Sequence, residues 1–177
     1  KDVKSIVWFE AERVTPDTWL YDNHPEWLLG ETEWKLLNLG DSDARNWLIE
    51  HVDNLINEQG IDLYRVDFNI DPLVFWRGND SEDRQGITEI KYVMGFLTYW
   101  DELRRRHPDM LIDTCASGGR RNDLETLRRA VPLLRSDLIL EPTAQQNHTY
   151  GIAFWIPFYG TGINAFDAYT FRSQMCV

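Results

Sequence analysis

A chain of 177 residues has room for one domain with a sizeable core. Its 18 basic and 29 acidic residues leave a formal net charge of −11, which argues against a nucleic-acid partner, because no basic stripe offers phosphate contacts. No apolar run approaches the length of a membrane span, so no membrane partner is expected, and the two cysteines, Cys115 and Cys176, form neither a CxxC nor another metal-ligand spacing.

Short extended runs alternate with longer helical ones along the whole chain. Ser5 to Phe9 is apolar and reads as a strand, and Lys35 to Leu39 reads as another. Ala44, Trp47, Leu48, Val52, Leu55 and Ile56 follow helical spacing, and Gly60 stops that helix. Ile61 to Asn69 is the next strand. The polar stretch RGNDSEDRQG then leads into a helix over about 87–107, with Ile90, Val93, Met94, Leu97, Trp100 and Leu103 expected on its packed side. Met110 to Cys115 and Pro132 to Asp137 are strand candidates, separated by a Gly-Gly turn and a short helix that Asn122 or Asp123 can cap. A helix near Tyr150 to Phe154 precedes a last strand candidate, TGINAF. This rhythm predicts an α/β fold with a parallel sheet over residues 1–177 as one unit. A full (β/α)8 barrel takes about 250 residues, so the chain holds about five units rather than eight.

Polar residues collect where the strands end, which is where α/β proteins place their sites. Glu10, Asn38, Arg65, Asp67, Asn69, Asp113, Cys115, Asp137, Asn164 and Asp167 all fall there. In LYRVDFNID, the residues Arg65, Asp67 and Asn69 alternate and so share one face of a strand. A cation beside Asp67 would keep its carboxylate ionised, as a nucleophile requires, and Asp137 near apolar residues could hold a proton. Two carboxyls in unlike environments are what glycoside hydrolysis uses. A plain Arg65–Asp67 salt bridge at the strand end fits the spacing equally well. The aromatic fraction of 13%, with eight Trp, supplies core for the most part and rings on which a sugar can stack for the rest.

Other chemistries fail their own rules. DFNID begins like a calcium loop, but Pro72 stands where glycine is needed and Gly78 where a carboxylate is needed. CASGGR lacks the lysine and glycine spacing of a phosphate-binding loop. The four His residues show no metal-binding pairing, and no G-x-S-x-G elbow is present.

The ordered set WFEAERV, HPEWLL, LLNLG, LYRVDFN, CASGGRRND and RSD resembles family 36 glycoside hydrolases, the melibiase-like retaining α-galactosidases and α-N-acetylgalactosaminidases. The resemblance runs from the first strand to about Asp167. It implies a (β/α)8 TIM-barrel type of fold, of which this chain would be the part from about strand 3 to strand 7. It implies Asp67 as nucleophile and Asp137 as acid/base. Trp8, Arg65, Asn69, Cys115 and Gly118 would bind the substrate, an α-galactoside oligosaccharide or glycoconjugate, with no metal or organic cofactor. Arg65 stands where the family usually has lysine, and its forked guanidinium would meet sugar hydroxyls differently. An α-N-acetylgalactosaminidase, a transglycosylase, or a non-catalytic carbohydrate-binding fragment are the alternatives. A partial barrel exposes strand edges, so the expected assembly is a homo-oligomer or a barrel completed by the missing strands.

Overall fold

The computed structural model describes residues 3–138, 140–156 and 158–175; Cys176 lies outside them. Its centre is a parallel sheet of β1 (Ile6–Phe9), β5 (Leu63–Val66) and β6 (Leu111–Thr114), in the order β1-β5-β6. The register sets Trp8 beside Arg65 and Arg65 beside Asp113. The sheet continues past β6 through one parallel bridge, Asp113 to Val131, where the amide of Val131 donates to Ile112 and that of Thr114 to Val131.

Three strand expectations are corrected here. Lys35 to Leu39 contributes β4 (Lys35–Leu37), but β4 is the middle of a separate antiparallel sheet, between β2 (Arg13–Val14) and β3 (Leu28–Leu29). Alternation alone cannot tell a parallel partner from an antiparallel one. Pro132 to Asp137 forms no strand beyond the bridge at Val131, because Pro132 lacks an N–H and the amide of Leu133 is taken by the Asp113 side chain at 2.9 Å. TGINAF is likewise irregular. The parallel sheet therefore has three strands and a bridged fourth position.

Helices cover the sheet. Following α1 (Trp19–Asn23), α2 (Ser42–Gln59) starts at Asp41, whose carboxylate accepts from the amides of Asp43 and Ala44 at 2.8 and 3.0 Å. It ends at Gly60 in the left-handed conformation (φ 62°), as the sequence indicated. After the short α3 (Leu73–Asn79), α4 (Ile87–Arg106) packs on α2. Its buried side is Tyr92, Gly95, Phe96, Tyr99, Trp100 and Leu103, while Ile90, Val93 and Met94, expected inside, face solvent. Gly95 is required there: a β-carbon would lie 1.9 Å from the carbonyl oxygen of Leu39. Close approach of this loop selects the aromatic face. α5 (Leu124–Leu127) is capped by Asp123, α6 (Pro142–Tyr150) runs into a 3-10 turn at Ile152–Phe154, and α7 (Ala168–Ser173) closes the described chain.

Candidate active site

The site forms where β1, β5 and β6 end together. The amide of Asp67 donates to Phe9 O at 2.9 Å, and that of Cys115 to Val66 O at 2.7 Å, so the segments after all three strands stay in register. Parallel pairing thereby brings Trp8, Asp67 and Ser117, far apart in sequence, to one place.

Asp67 is surrounded by donors. Its Oδ1 accepts from the amides of Phe68 at 2.8 Å and Ser117 at 3.3 Å, and its Oδ2 from Trp8 Nε1 at 3.3 Å. Partial burial works against the charge, but these N–H groups and the Asn69 side chain outweigh it and hold the carboxyl below its ordinary value. Arg65 plays another part than expected. Its guanidinium is ion-paired with Asp113, a fully buried carboxylate, and only weakly feels Asp67. The ionisation of Asp67 therefore comes from amides and an indole rather than from a cation, and the alternative Arg65–Asp67 salt bridge is absent as well.

A strained turn faces Asp67. Ser117, Gly118 and Gly119 have φ of 46°, 83° and 121°, three successive residues in the positive-φ region. Ser117 is held there by its hydroxyl, which lies 3.2 Å from Phe68 O and 2.9 Å from Asn69 Oδ1. Gly118 is the point of contact with Asp137: a β-carbon at position 118 would lie 2.8 Å from Asp137 Oδ2. Asp67 and Asp137 thus flank the same two-residue turn. Asp137 is exposed rather than set among apolar residues as the sequence suggested. Cys115 is buried beside Asp67. Burial pushes its thiol up, and the Asp67 charge adds to this, so the sulfur stays protonated.

Trp8 is half exposed, with its ring open to solvent and its Nε1 on Asp67. Asn69 is exposed; its amide N–H donates to Glu10 Oε1 at 2.8 Å, and Glu10 is ion-paired with Arg13. The structure brings Trp8, Arg65, Asp67, Asn69, Cys115, Gly118 and Asp137 together. It does not bring in Asn38, which caps its own turn by accepting from Gly40, or Asp167, which caps α7. Among the described residues, no group of three or more His, Cys, Asp or Glu is arranged to hold a metal, and no helix is long and apolar enough to cross a membrane.

Sequence reasoning passed over the residues that brace the site. Glu12 is buried and receives Arg121 through both carboxylate oxygens at 2.7 Å, and Tyr92 Oη donates to it as well. The Arg121 guanidinium lies 3.9 Å from the centres of both the Phe68 and Phe96 rings. Arg120 Nη2 donates to Phe68 O at 2.8 Å and Ile70 O at 2.9 Å, on either side of Asn69. The available signal was the Arg-Arg pair directly after the glycines.

The melibiase family model matches residues 1–163. A curated relative, α-galactosidase C of Emericella nidulans, is 32% identical over 139 residues, 74% of this chain and 18% of its own. Among solved structures, an α-galactosidase from Lactobacillus brevis superposes with a TM-score of 0.78 at 24% identity, over 89% of this chain and 22% of that one. Two variants of the GH36 α-galactosidase AgaA from Geobacillus stearothermophilus, each with an aspartate replaced, were solved with stachyose and with raffinose. They give TM-scores of 0.75 and 0.76 at 23% and 22% identity, over 92% and 99% of this chain and 23% and 25% of theirs. This chain shares their fold over its own length and spans about a fifth of the curated relatives it matches.

Proposed function

The chain belongs to the melibiase family, and on that premise we propose that it is part of the catalytic (β/α)8 barrel, about strands 3 to 7, of a retaining α-galactosidase. The observation that carries the reading is the setting of Asp67. Its carboxylate is kept ionised by four donors at the carboxyl end of a central strand, and it shares the Ser117–Gly118 turn with a second carboxyl, Asp137. Asp67 attacks the anomeric carbon, and Asp137 gives its proton to the departing oxygen. Asp137 then takes a proton from the water that releases the sugar, with net retention, a mechanism that places two carboxyls about 5–5.5 Å apart. Trp8 offers its ring as a stacking face. Arg65, Asn69, Cys115 and the backbone at Gly118 contact hydroxyls of the ring. The two aspartates replaced in the AgaA variants are separated by the same interval as Asp67 and Asp137, which supports the pairing, and the sugars in those structures support an α-galactoside oligosaccharide as substrate.

The experiment is galactose release from raffinose by the full-length protein that contains this chain. Asp67→Asn is expected to lower kcat by about 10³ or more, and the first-formed galactose in the wild-type reaction is expected to be the α-anomer by NMR. Wild-type turnover in the variant, or a β-anomer first, overturns the reading. Among the described residues β1 is paired on one side only and leaves Ile6 and Trp8 exposed, so we expect the isolated chain to self-associate or to be completed by further barrel strands. A clean monomer by light scattering at micromolar concentration would count against that.

A further inference from the structure

We propose that Arg120 is a positioning residue for Asn69, acting through Ser117 to fix which end of the Asn69 amide faces Asp67. The proposal rests on the roles given above to Asp67 and Asn69. Arg120 Nη2 lies 3.3 Å from Ser117 Oγ, besides its bonds to Phe68 O and Ile70 O. A hydroxyl has one proton and two lone pairs. Arg120 Nη2 has two hydrogens, which go to Phe68 O and Ile70 O, and the Ser117 oxygen shares one of them at 3.3 Å. With Phe68 O already engaged by Arg120, the Ser117 proton goes to Asn69 Oδ1 at 2.9 Å rather than to Phe68 O at 3.2 Å. An Asn69 oxygen held by Ser117 leaves the NH2 end free to donate toward Asp67, and Asn69 does help keep that carboxylate ionised. The flipped amide would set its oxygen against the Asp67 carboxylate.

The backbone is fixed by the same group. Arg120 binds the carbonyls on both sides of Asn69, and Glu10 binds the amide N–H of Asn69 itself. The relay runs from Arg120 to Ser117, Asn69 and Asp67, and Ser117, at positive φ, places its hydroxyl on Phe68 and Asn69 in the segment after β5. A guanidinium suits this task because one planar end reaches several acceptors at once.

The test is a double-mutant cycle on the full-length protein with an α-galactoside substrate. Arg120→Met is expected to lower kcat by about tenfold to a hundredfold with a smaller change in KM, and Arg120→Lys to recover part of the loss. Adding Arg120→Met to Asn69→Ala is expected to lower kcat no further than Asn69→Ala alone. Losses that multiply would mean that Arg120 does not act through Asn69, and the proposal falls. A readout without turnover keeps this separate from the galactosidase reading. The side-chain amide resonances of Asn69 are expected to shift, and their protons to exchange faster, in both Arg120→Met and Ser117→Ala. Unchanged resonances overturn the relay. Resonances that shift in both variants, of a protein whose wild type cleaves no α-galactoside, uphold the relay while overturning the reaction.

Discussion

Arg65 is ion-paired across the sheet with Asp113 and not with Asp67, its neighbour on the same face of β5. The partner is the one that the parallel register sets directly beside it. Asp113 is buried, and its other oxygen accepts from the Leu133 amide at 2.9 Å, so one carboxylate ties β5, β6 and the segment leading to Asp137. The cation therefore organises the sheet under the site, while amides and an indole keep the proposed nucleophile charged.

Asp113→Asn tests that assignment. It leaves the largely buried Arg65 without a counter-charge, a change that costs about 3–5 kcal/mol when the pair is fully buried and less here, since Arg65 keeps some solvent contact. The expected result is a clear drop in the denaturant midpoint with the slope unchanged. A midpoint within experimental error of wild type would show that the pair contributes nothing.

The donors around Asp67 predict a pH effect of known sign. Trp8→Phe keeps an aromatic face but removes the Nε1 donor at 3.3 Å. Losing a donor to the charged form raises the carboxyl pKa. On the proposed role of Asp67, whose carboxyl is held below its ordinary value, the acidic limb of kcat/KM in the full-length protein is expected to move to higher pH in Trp8→Phe. A limb that stays in place would assign the acidic limb to another group.

What could be read from the chain beforehand follows a physical line. The end of α2 was legible because Gly60 acts within a few residues of itself. The cluster Asp67, Asn69 and Cys115 was legible because parallel strands deliver all their carboxyl ends to one side, whereas Trp8 came from the family resemblance. The partner of Arg65 was not, since it depends on register between segments 48 residues apart. The buried face of α4 was misread for a related reason. The middle of that helix, from Ile90 to Trp100, is apolar on most sides, and the approach of Leu39 to Gly95 decides that Tyr92, Phe96 and Tyr99 turn inward instead of Ile90, Val93 and Met94.

An acid-sensitive clasp joins α2 to α4 at the end far from the site. Arg106 on α4 bonds Glu50 at 2.5 Å and Asp53 at 2.8 Å on α2, and Glu102 at 2.8 Å on its own helix, while His107 bonds Asp53 at 2.6 Å. Arg105 and Arg106 bring the Glu102 carboxyl down from 4.5 to about 2. Burial of Asp53 opposes its charge, but Arg106 and His107 outweigh this and hold it low too. Carboxyls depressed in the folded state add stability above their unfolded values, and that stability is lost as pH falls through the folded ones. Stability is thus expected to decline from about pH 4.5 toward pH 2. Arg106→Met should flatten that decline, as followed by circular dichroism in denaturant. An unchanged slope would place the acid-sensitive carboxyls elsewhere.

Gly118→Ala offers the sharpest separation of the two proposed catalytic carboxyls. At φ 83° an alanine is strained by about 1 kcal/mol, and its β-carbon would press on Asp137 Oδ2 at 2.8 Å and Cγ at 3.1 Å. Asp137, on an exposed segment, is the part able to give way, whereas Asp67 is fixed by the donors of Phe68, Ser117 and Trp8. A displaced acid matters most when the leaving group needs a proton. Gly118→Ala is therefore expected to slow cleavage of an alkyl or sugar α-galactoside by about a hundredfold, and to leave an activated nitrophenyl α-galactoside far less affected. Equal losses on both substrates would mean that the substitution disturbs Asp67 or the sugar itself, and that the contact at Gly118 does not position the acid.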